Sequence, residues 1–136
     1  MTTRTTQAHY SVEGLADAPV AIRVVIEESA TASVYKVAFA NLTTSGNTQL
    51  VAAVSGKKIQ VIGDKVVNSG ASVIAFKYQS GTTDIEPTDD LAADGGGWTR
   101  HPARGFLFET AVGEALNGNI GANGAVGVTL QYVEVD

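Results

Sequence analysis

Apolar and polar residues alternate along much of this chain, which is the pattern of β-strands with one buried face. Ile59 and Val61 alternate with Lys58 and Gln60, so the two pairs lie on opposite faces of an extended segment. Turns rich in Gly and Asn separate such runs. The predicted strands are 21–27, 33–39, 48–54, 58–62, 65–67, 71–78, 105–110, 114–120 and 125–135, the last being the strongest.

Three places interrupt this pattern. Gly63-Asp64 is predicted to form a turn between two short strands, and Gly118 is predicted to break the strand at 114–120. Residues 79–104 show no period, so they are predicted to form a long irregular loop with room for one short strand near 83–85.

About eight strands at short intervals, with no amphipathic helical pattern, predict an all-β fold. The spacing favours an antiparallel β-sandwich or barrel, and the long internal connection favours a jelly-roll-like sandwich. Residues 1–19 are rich in Thr and Ala and end at Pro19. We predict that they form an N-terminal arm, with a frayed terminus or a first strand as the alternatives, and that residues 20–136 form the sandwich domain.

Charge and composition exclude several classes of function. The chain has 136 residues, no Cys and a net charge of −5, so disulfides and thiolate metal sites are impossible. Five acids lie in one segment, namely Asp84, Glu86, Asp89, Asp90 and Asp94. The remaining residues balance to zero, and without a basic face we expect no nucleic-acid partner. No apolar run is long enough for a signal peptide or a membrane span, so we expect no membrane partner.

Candidate chemistry is sparse. The lysines at Ser55-Gly56-Lys57-Lys58 fail the P-loop spacing, and the acidic segment fails the EF-hand spacing. His9 and His101 are far apart in regions without predicted strands. A cation bound by the acidic segment and a glycosidase carboxylate pair are the weaker alternatives. We therefore predict no catalytic residue, no cofactor and no metal site.

Trp98 is the only Trp in the chain, and it follows three glycines and precedes Arg100 and Arg104. Trp and Arg are enriched at the centres of protein interfaces, which predicts a binding loop here. The alternative is a Trp that folds back over the core, with both Arg solvated or paired with the acidic segment.

Residues 41–135 resemble a group of small virion structural proteins of tailed bacteriophages. The likeness is carried by residues 43–48 with 50–61, by 108–116 and by 126–135. The resemblance implies a jelly-roll-like module, often trimeric, on the outside of a capsid or on a tail fibre.

This resemblance leads us to expect a capsid decoration (cement) protein that is not an enzyme. Its expected partners are the major capsid protein and itself, as a homotrimer, and its expected location is the capsid exterior of the virion after synthesis in the host cytoplasm. The alternative is a tail fibre or baseplate module that recognises a host surface glycan or protein. The predicted interface residues are Thr2, Thr3, Arg4, Tyr10, Trp98, Arg100 and Arg104.

Overall fold

The computed structural model describes residues 2–10, 20–28 and 34–136, and in these ranges every regular element is a β-strand. The chain divides into two compact units, Met1–Ala32 and Ser33–Asp136. The boundary predicted from the sequence lies after residue 19. The difference arises because the segment predicted as the first strand of the sandwich pairs with the N-terminal residues instead.

The first unit contains a two-stranded antiparallel sheet. Strand β1 (Thr2–Tyr10) pairs with β2 (Val20–Glu28), in a register that runs from Thr2 opposite Glu28 to Tyr10 opposite Val20. Residues 2–10 of the predicted arm therefore form a strand, as the first-strand alternative predicts. Residues 11–19 of the arm lie outside the described residues.

The second unit is a sandwich of two antiparallel five-stranded sheets, which confirms the predicted all-β fold. The first sheet contains β3 (Lys36–Leu42), β5 (Lys58–Asn68), β9 (Gly96–Arg100), β10 (Phe108–Glu109) and β12 (Val126–Val135). The second contains β4 (Gly46–Val51), β6 (Ile74–Ser80), β7 (Thr83–Asp84), β8 (Asp89–Leu91) and β11 (Leu116–Ile120). The jelly-roll detail stays a prediction.

In the first sheet the strand order is β10-β5-β12-β3, and β9 also pairs with β5. In the second it is β4-β11-β6-β7, and β8 also pairs with β6. Alternate residues of both sheets point inward and fill the space between them. The buried hydrophobic residues include Leu42, Ile59, Val61, Val66, Phe76, Tyr78, Leu116, Ile120, Val126, Val128 and Leu130.

The predicted turn at Gly63-Asp64 is wrong, because β5 runs unbroken from Lys58 to Asn68. Its pairing with β12 shifts at this point: Val61 lies opposite Tyr132, but Gly63 lies opposite Gln131. One residue of β5 is therefore extra, as in a β-bulge, and the inward-facing phase changes along the strand. Odd positions face inward before the bulge, and even positions, including Asp64, face inward after it.

The predicted break at Gly118 is also wrong, because this glycine lies in the middle of β11. A Cβ atom at Gly118 would lie 2.9 Å from a methyl carbon of Leu42. The glycine is needed because the opposite sheet approaches it closely, and a glycine used for close packing looks in the sequence like a strand breaker.

Residues 79–104 are more regular than predicted. The short strand expected near 83–85 is confirmed as β7, but β8 and β9 were not anticipated. Strand β9 pairs with β5, with Gly97 opposite Val67 and Trp98 opposite Val66. A Cβ at Gly97 would lie 1.8 Å from the Val66 carbonyl oxygen. Glycine permits this backbone approach, and it also removes the side-chain alternation by which a strand is predicted.

Candidate functional site

A charged side chain lies in the interior of the sandwich. The bulge in β5 turns Asp64 inward, and its side chain is fully buried. Asp64 Oδ2 accepts hydrogen bonds from the Tyr78 hydroxyl at 2.9 Å and from Trp98 Nε1 at 2.9 Å. Arg100 donates from Nε to Oδ1 at 3.0 Å and from Nη2 to Oδ2 at 2.8 Å. Both oxygens of the buried carboxylate therefore have partners, as the cost of burying a charge requires.

Arg100 links this carboxylate to the acidic segment. Its guanidinium donates to Glu86, with Nη1 to Oε2 at 3.0 Å and Nη2 to Oε1 at 3.2 Å. It also lies over the Trp98 ring, 4.9 Å from the ring centroid, in a cation–π contact. We call Asp64, Tyr78, Glu86, Trp98 and Arg100 the Asp64 network.

Two members of the network, Tyr78 and Arg100, have fixed protonation states at neutral pH. Burial raises the pKa of the Tyr78 hydroxyl, and the negative charge of Asp64 raises it further. Hydrogen bonding to Asp64 raises the pKa of the Arg100 guanidinium. Tyr78 therefore stays a neutral donor and Arg100 stays a cation, so neither group is suited to exchange protons with a substrate near pH 7. The arrangement suits the joining of β5, β6 and β9.

Beside Asp64, on the outer side of the first sheet, lies a small cavity of about 170 Å³. Its lining includes Gly63, Lys65, Thr99, His101 and Gln131. Cavities that hold small-molecule ligands and cofactors are typically about 300–1,000 Å³. This one is large enough only for a small group, such as one side chain of a partner.

The outer face of the first sheet carries large apolar side chains. Tyr35, just before β3, and Val37 and Phe39, within it, occupy alternate positions and are 74%, 64% and 83% exposed. We call these three residues the β3 stripe. Their inward-facing neighbours Ala38 and Ala40 pack against the core. Large apolar residues grouped on a surface mark a site of interaction with another molecule.

The outer face of the second sheet is polar and rich in amides. Asn117 lies opposite both Gln49 and Gln79, which form one row across the strands. Gln79 Nε2 donates to Asp84 Oδ1 at 2.6 Å, whereas Gln79 Oε1 is buried and accepts no hydrogen bond in the described part of the chain. A second row contains Asn119, which donates to Asn47 Oδ1. We call these five Asn and Gln residues the amide face.

The predicted interface residues fall in three places. Trp98 and Arg100 are brought together in the Asp64 network, where Trp98 packs against the core. Arg104 is exposed in the segment between β9 and β10. The predicted interface residues of the arm, Thr2, Thr3, Arg4 and Tyr10, all lie on β1 in the other unit. Contact of any of these residues with a partner stays a prediction.

Sequence reasoning missed Asp64 and Tyr78. A signal for Asp64 was present, because Ile59 and Val61 occupy odd positions whereas Val66 occupies an even one. A change of phase across Gly63 indicates a bulge rather than a turn, and it places Asp64 on the same face as Val66.

Comparison with family models, with curated proteins and with solved structures gives no match for this chain. Within the described ranges there is no helix that is long and apolar enough to cross a membrane. In the same ranges, no group of three or more His, Cys, Asp or Glu residues is placed to hold a metal ion. The geometry described above gives three candidate sites, which are the Asp64 network, the β3 stripe and the amide face.

Proposed function

We propose that this chain is a virion structural protein without enzymatic activity, a capsid decoration (cement) protein that binds the outer surface of a phage head and stabilises the shell. Its partners are the major capsid protein and further copies of itself, in a homotrimer. The resemblance of residues 41–135 to small virion proteins of tailed bacteriophages motivates this function.

One observation carries the proposal: the sandwich pairs its buried charge internally and turns large apolar side chains outward. The Asp64 carboxylate is satisfied by Tyr78, Trp98 and Arg100, whereas Phe39 is 83% exposed. Groups that an enzyme would use in chemistry here hold strands together. Groups that a soluble monomer would bury are available for contact with other proteins.

The strand order supports the jelly-roll part of the proposal. The first strand of the sandwich, β3, lies next to the last, β12, and the second, β4, lies next to the penultimate, β11. Two antiparallel sheets that exchange strands in this way are expected for a jelly-roll fold, which is used by capsid proteins.

Such a protein would act by binding only the assembled shell. A ligand that binds one state stabilises that state by mass action, so attachment to the expanded head would raise its resistance to disruption. A homotrimer would add avidity, because three weak contacts that form together hold more tightly than one. We place the capsid contacts on β1, at Thr2, Thr3, Arg4 and Tyr10, and on the exposed Arg104.

The direct experiment is to mix the purified chain with expanded heads that lack it and with unexpanded precursors. We expect saturable binding to expanded heads and a higher temperature of DNA release. A variant that lacks residues 1–19 should keep the sandwich, which is a separate compact unit, but lose attachment. Full binding by this variant would refute the assignment of the contact to β1, and no binding by the complete chain would refute the function.

A second function, recognition of a host surface glycan or protein by a tail fibre or baseplate module, is favoured by the amide face. Planar amides bind sugar hydroxyls through paired donors and acceptors, and Asn47 and Gln49 of the amide face are exposed. Arg100 covers the Trp98 ring, so that ring is a poor stacking platform. Binding of a defined glycan that Gln49→Ala or Asn117→Ala abolishes would support this function over the first.

A further inference from the structure

The β3 stripe lies at an open edge of its sheet. Within the described ranges, β3 pairs with β12 on one side and with no strand on the other. Proteins usually protect such edges with charged residues, proline or a bulge. From Lys36 to Leu42 the strand has no proline, and its one charged residue, Lys36, forms an ion pair with Glu134 of the adjacent strand at 3.0 Å.

The residues beside the stripe on β12 and β5 include no carboxylate. In the pairing of β3 with β12, Val37 lies opposite Gln131, and Phe39 lies opposite Thr129. Lys65, on the next strand, lies opposite Thr129 and carries the nearest charge in that row. The rows that contain Val37 and Phe39 therefore hold no carboxylate across these three strands.

This charge distribution favours a second copy of the chain as the occupant. The chain has a net charge of −5, so two copies repel each other wherever their acidic segments approach. The acidic residues of β7 and β8 lie beside β6, at the edge of the second sheet remote from β4. Strand β3 contacts β4, which lies at the opposite edge of the second sheet from those acidic strands. A face without carboxylates at this edge is where copies can meet with the least repulsion.

The area also fits a contact between copies. From the usual surface of such side chains, the stripe exposes on the order of 400 Å². That is about the largest apolar patch found on a typical monomer and about half of one partner's share of a standard interface, roughly 800 Å². The rows of β12 and β5 beside the stripe hold no carboxylate and extend the same face, with Lys65 as their one charged residue.

We propose that the β3 stripe is the self-association surface of this protein and packs against neighbouring copies of the same chain. This inference rests on the homotrimer part of the proposed function and assigns it a location. Around a three-fold axis, three stripes converge, and each Phe39 is removed from water by its neighbours.

The test uses the complete chain and two substitutions of exposed apolar residues by lysine. Phe39→Lys alters the stripe, and Val73→Lys, at a residue that is 63% exposed outside the stripe, is the matched control. Sedimentation equilibrium over a wide concentration series measures the association constant of each. Since loss of a central aromatic contact weakens an interface by on the order of 100-fold, we expect that change for Phe39→Lys and none for Val73→Lys.

Folding of the variants is checked separately by circular dichroism, and Val37→Thr supplies a milder change that suits a strand. We expect the complete chain to be an oligomer and Val37→Thr to weaken it less than Phe39→Lys does. An oligomer that resists both substitutions would overturn the stripe assignment and leave the homotrimer standing. A monomeric chain would overturn both. If the wild-type chain is a monomer and Phe39→Lys abolishes its binding to the capsid, the capsid covers the stripe instead.

Discussion

Arg100 lies between two carboxylates and donates hydrogen bonds to both, to buried Asp64 at 2.8 Å and to Glu86 at 3.0 Å. Asp64 belongs to β5, Arg100 to β9, and Glu86 to the connection between β7 and β8. One guanidinium therefore joins the first sheet to the acidic segment beside the second sheet. Trp98 donates to the same Asp64 carboxylate and lies beneath Arg100, with its ring packed against the core.

The contact between Asp64 and Arg100 should contribute to the stability of the sandwich. Asp64→Ala leaves the half-buried Arg100 with Glu86 as its remaining carboxylate and leaves the Tyr78 hydroxyl without its acceptor. We expect the free energy of unfolding to fall by about 2–3 kcal/mol, which is less than the ~3–5 kcal/mol for breaking a fully buried pair, because about a third of Arg100 is exposed to water. Chemical denaturation measures the change. Asp136→Ala, which removes an exposed ion pair with Lys57, should be nearly neutral, and equal effects of the two variants would contradict the role of the network.

A glycine substitution tests the close approach of β9 to β5. In Gly97→Ala the new methyl group would overlap the Val66 carbonyl, so β9 must move away from β5. We expect the free energy of unfolding to fall by at least about 2 kcal/mol and the fluorescence of Trp98 to shift to the red. Gly127→Ala is the control, because its Cβ would meet only Asn41 Oδ1 at 3.7 Å, an ordinary contact. A Gly97→Ala variant with wild-type stability and fluorescence would show that β9 is not held against Val66.

Alkaline conditions should destabilise the sandwich through Tyr78. Its pKa is raised in the folded protein, so folding favours the neutral hydroxyl. The resulting contribution to stability is complete below the pKa of an unfolded tyrosine, about 10, and is lost as the pH rises above it. We expect the free energy of unfolding to fall between about pH 10 and 11, and Tyr78→Phe to fall less steeply in that window. Parallel pH profiles of the two proteins would argue against a buried, neutral Tyr78.

Acid should act through the carboxylates of exposed Asp84 and half-buried Glu109. Hydrogen bonds from Gln79 and Lys77 lower the pKa of Asp84, and hydrogen bonds from Gln60 and Lys58 lower the pKa of Glu109. The stability that these groups contribute is present above the pKa of an unfolded carboxyl, about 4, and is lost as the pH falls through the lower folded values.

The double variant Asp84→Asn/Glu109→Gln should therefore have a shallower fall in the midpoint of thermal unfolding below pH 4 than the wild type. Asp90→Asn controls for the removal of an exposed carboxylate. An acid profile of the double variant that coincides with that of the wild type would exclude these two groups as its source.

The sequence predicted most of the strands, because burial of one sheet face imposes alternation that is visible in residues such as Ile59 and Val61. It failed where backbone geometry replaces that alternation. The bulge beside Gly63 shifts the phase and turns Asp64 inward, and glycines at 97 and 118 serve close approach rather than breaking strands. Such contacts depend on residues distant in the chain, such as Val66 and Leu42, so the local pattern around each glycine does not contain them.

The candidate site was predicted only in part. The sequence drew attention to Trp98 and Arg100 because both residue types are enriched in interfaces. It did not identify Asp64 as their shared partner, since the contact joins residues 34 and 36 positions apart. The β3 stripe was missed because the largely apolar run at 34–40 does not show which alternate set of residues faces the core. Here the core side holds Ala38 and Ala40, and the larger residues point outward.

The copy number of this chain in the intact virion decides whether it decorates the outside of a phage head, as we propose. Quantitative mass spectrometry of purified particles, with the major capsid protein as internal reference, gives this number. We expect the copy number to be a simple fraction of that of the major capsid protein, because a regular shell offers a fixed number of binding positions. Only a few copies per particle would place the chain in the tail and would contradict the proposal that it decorates the head.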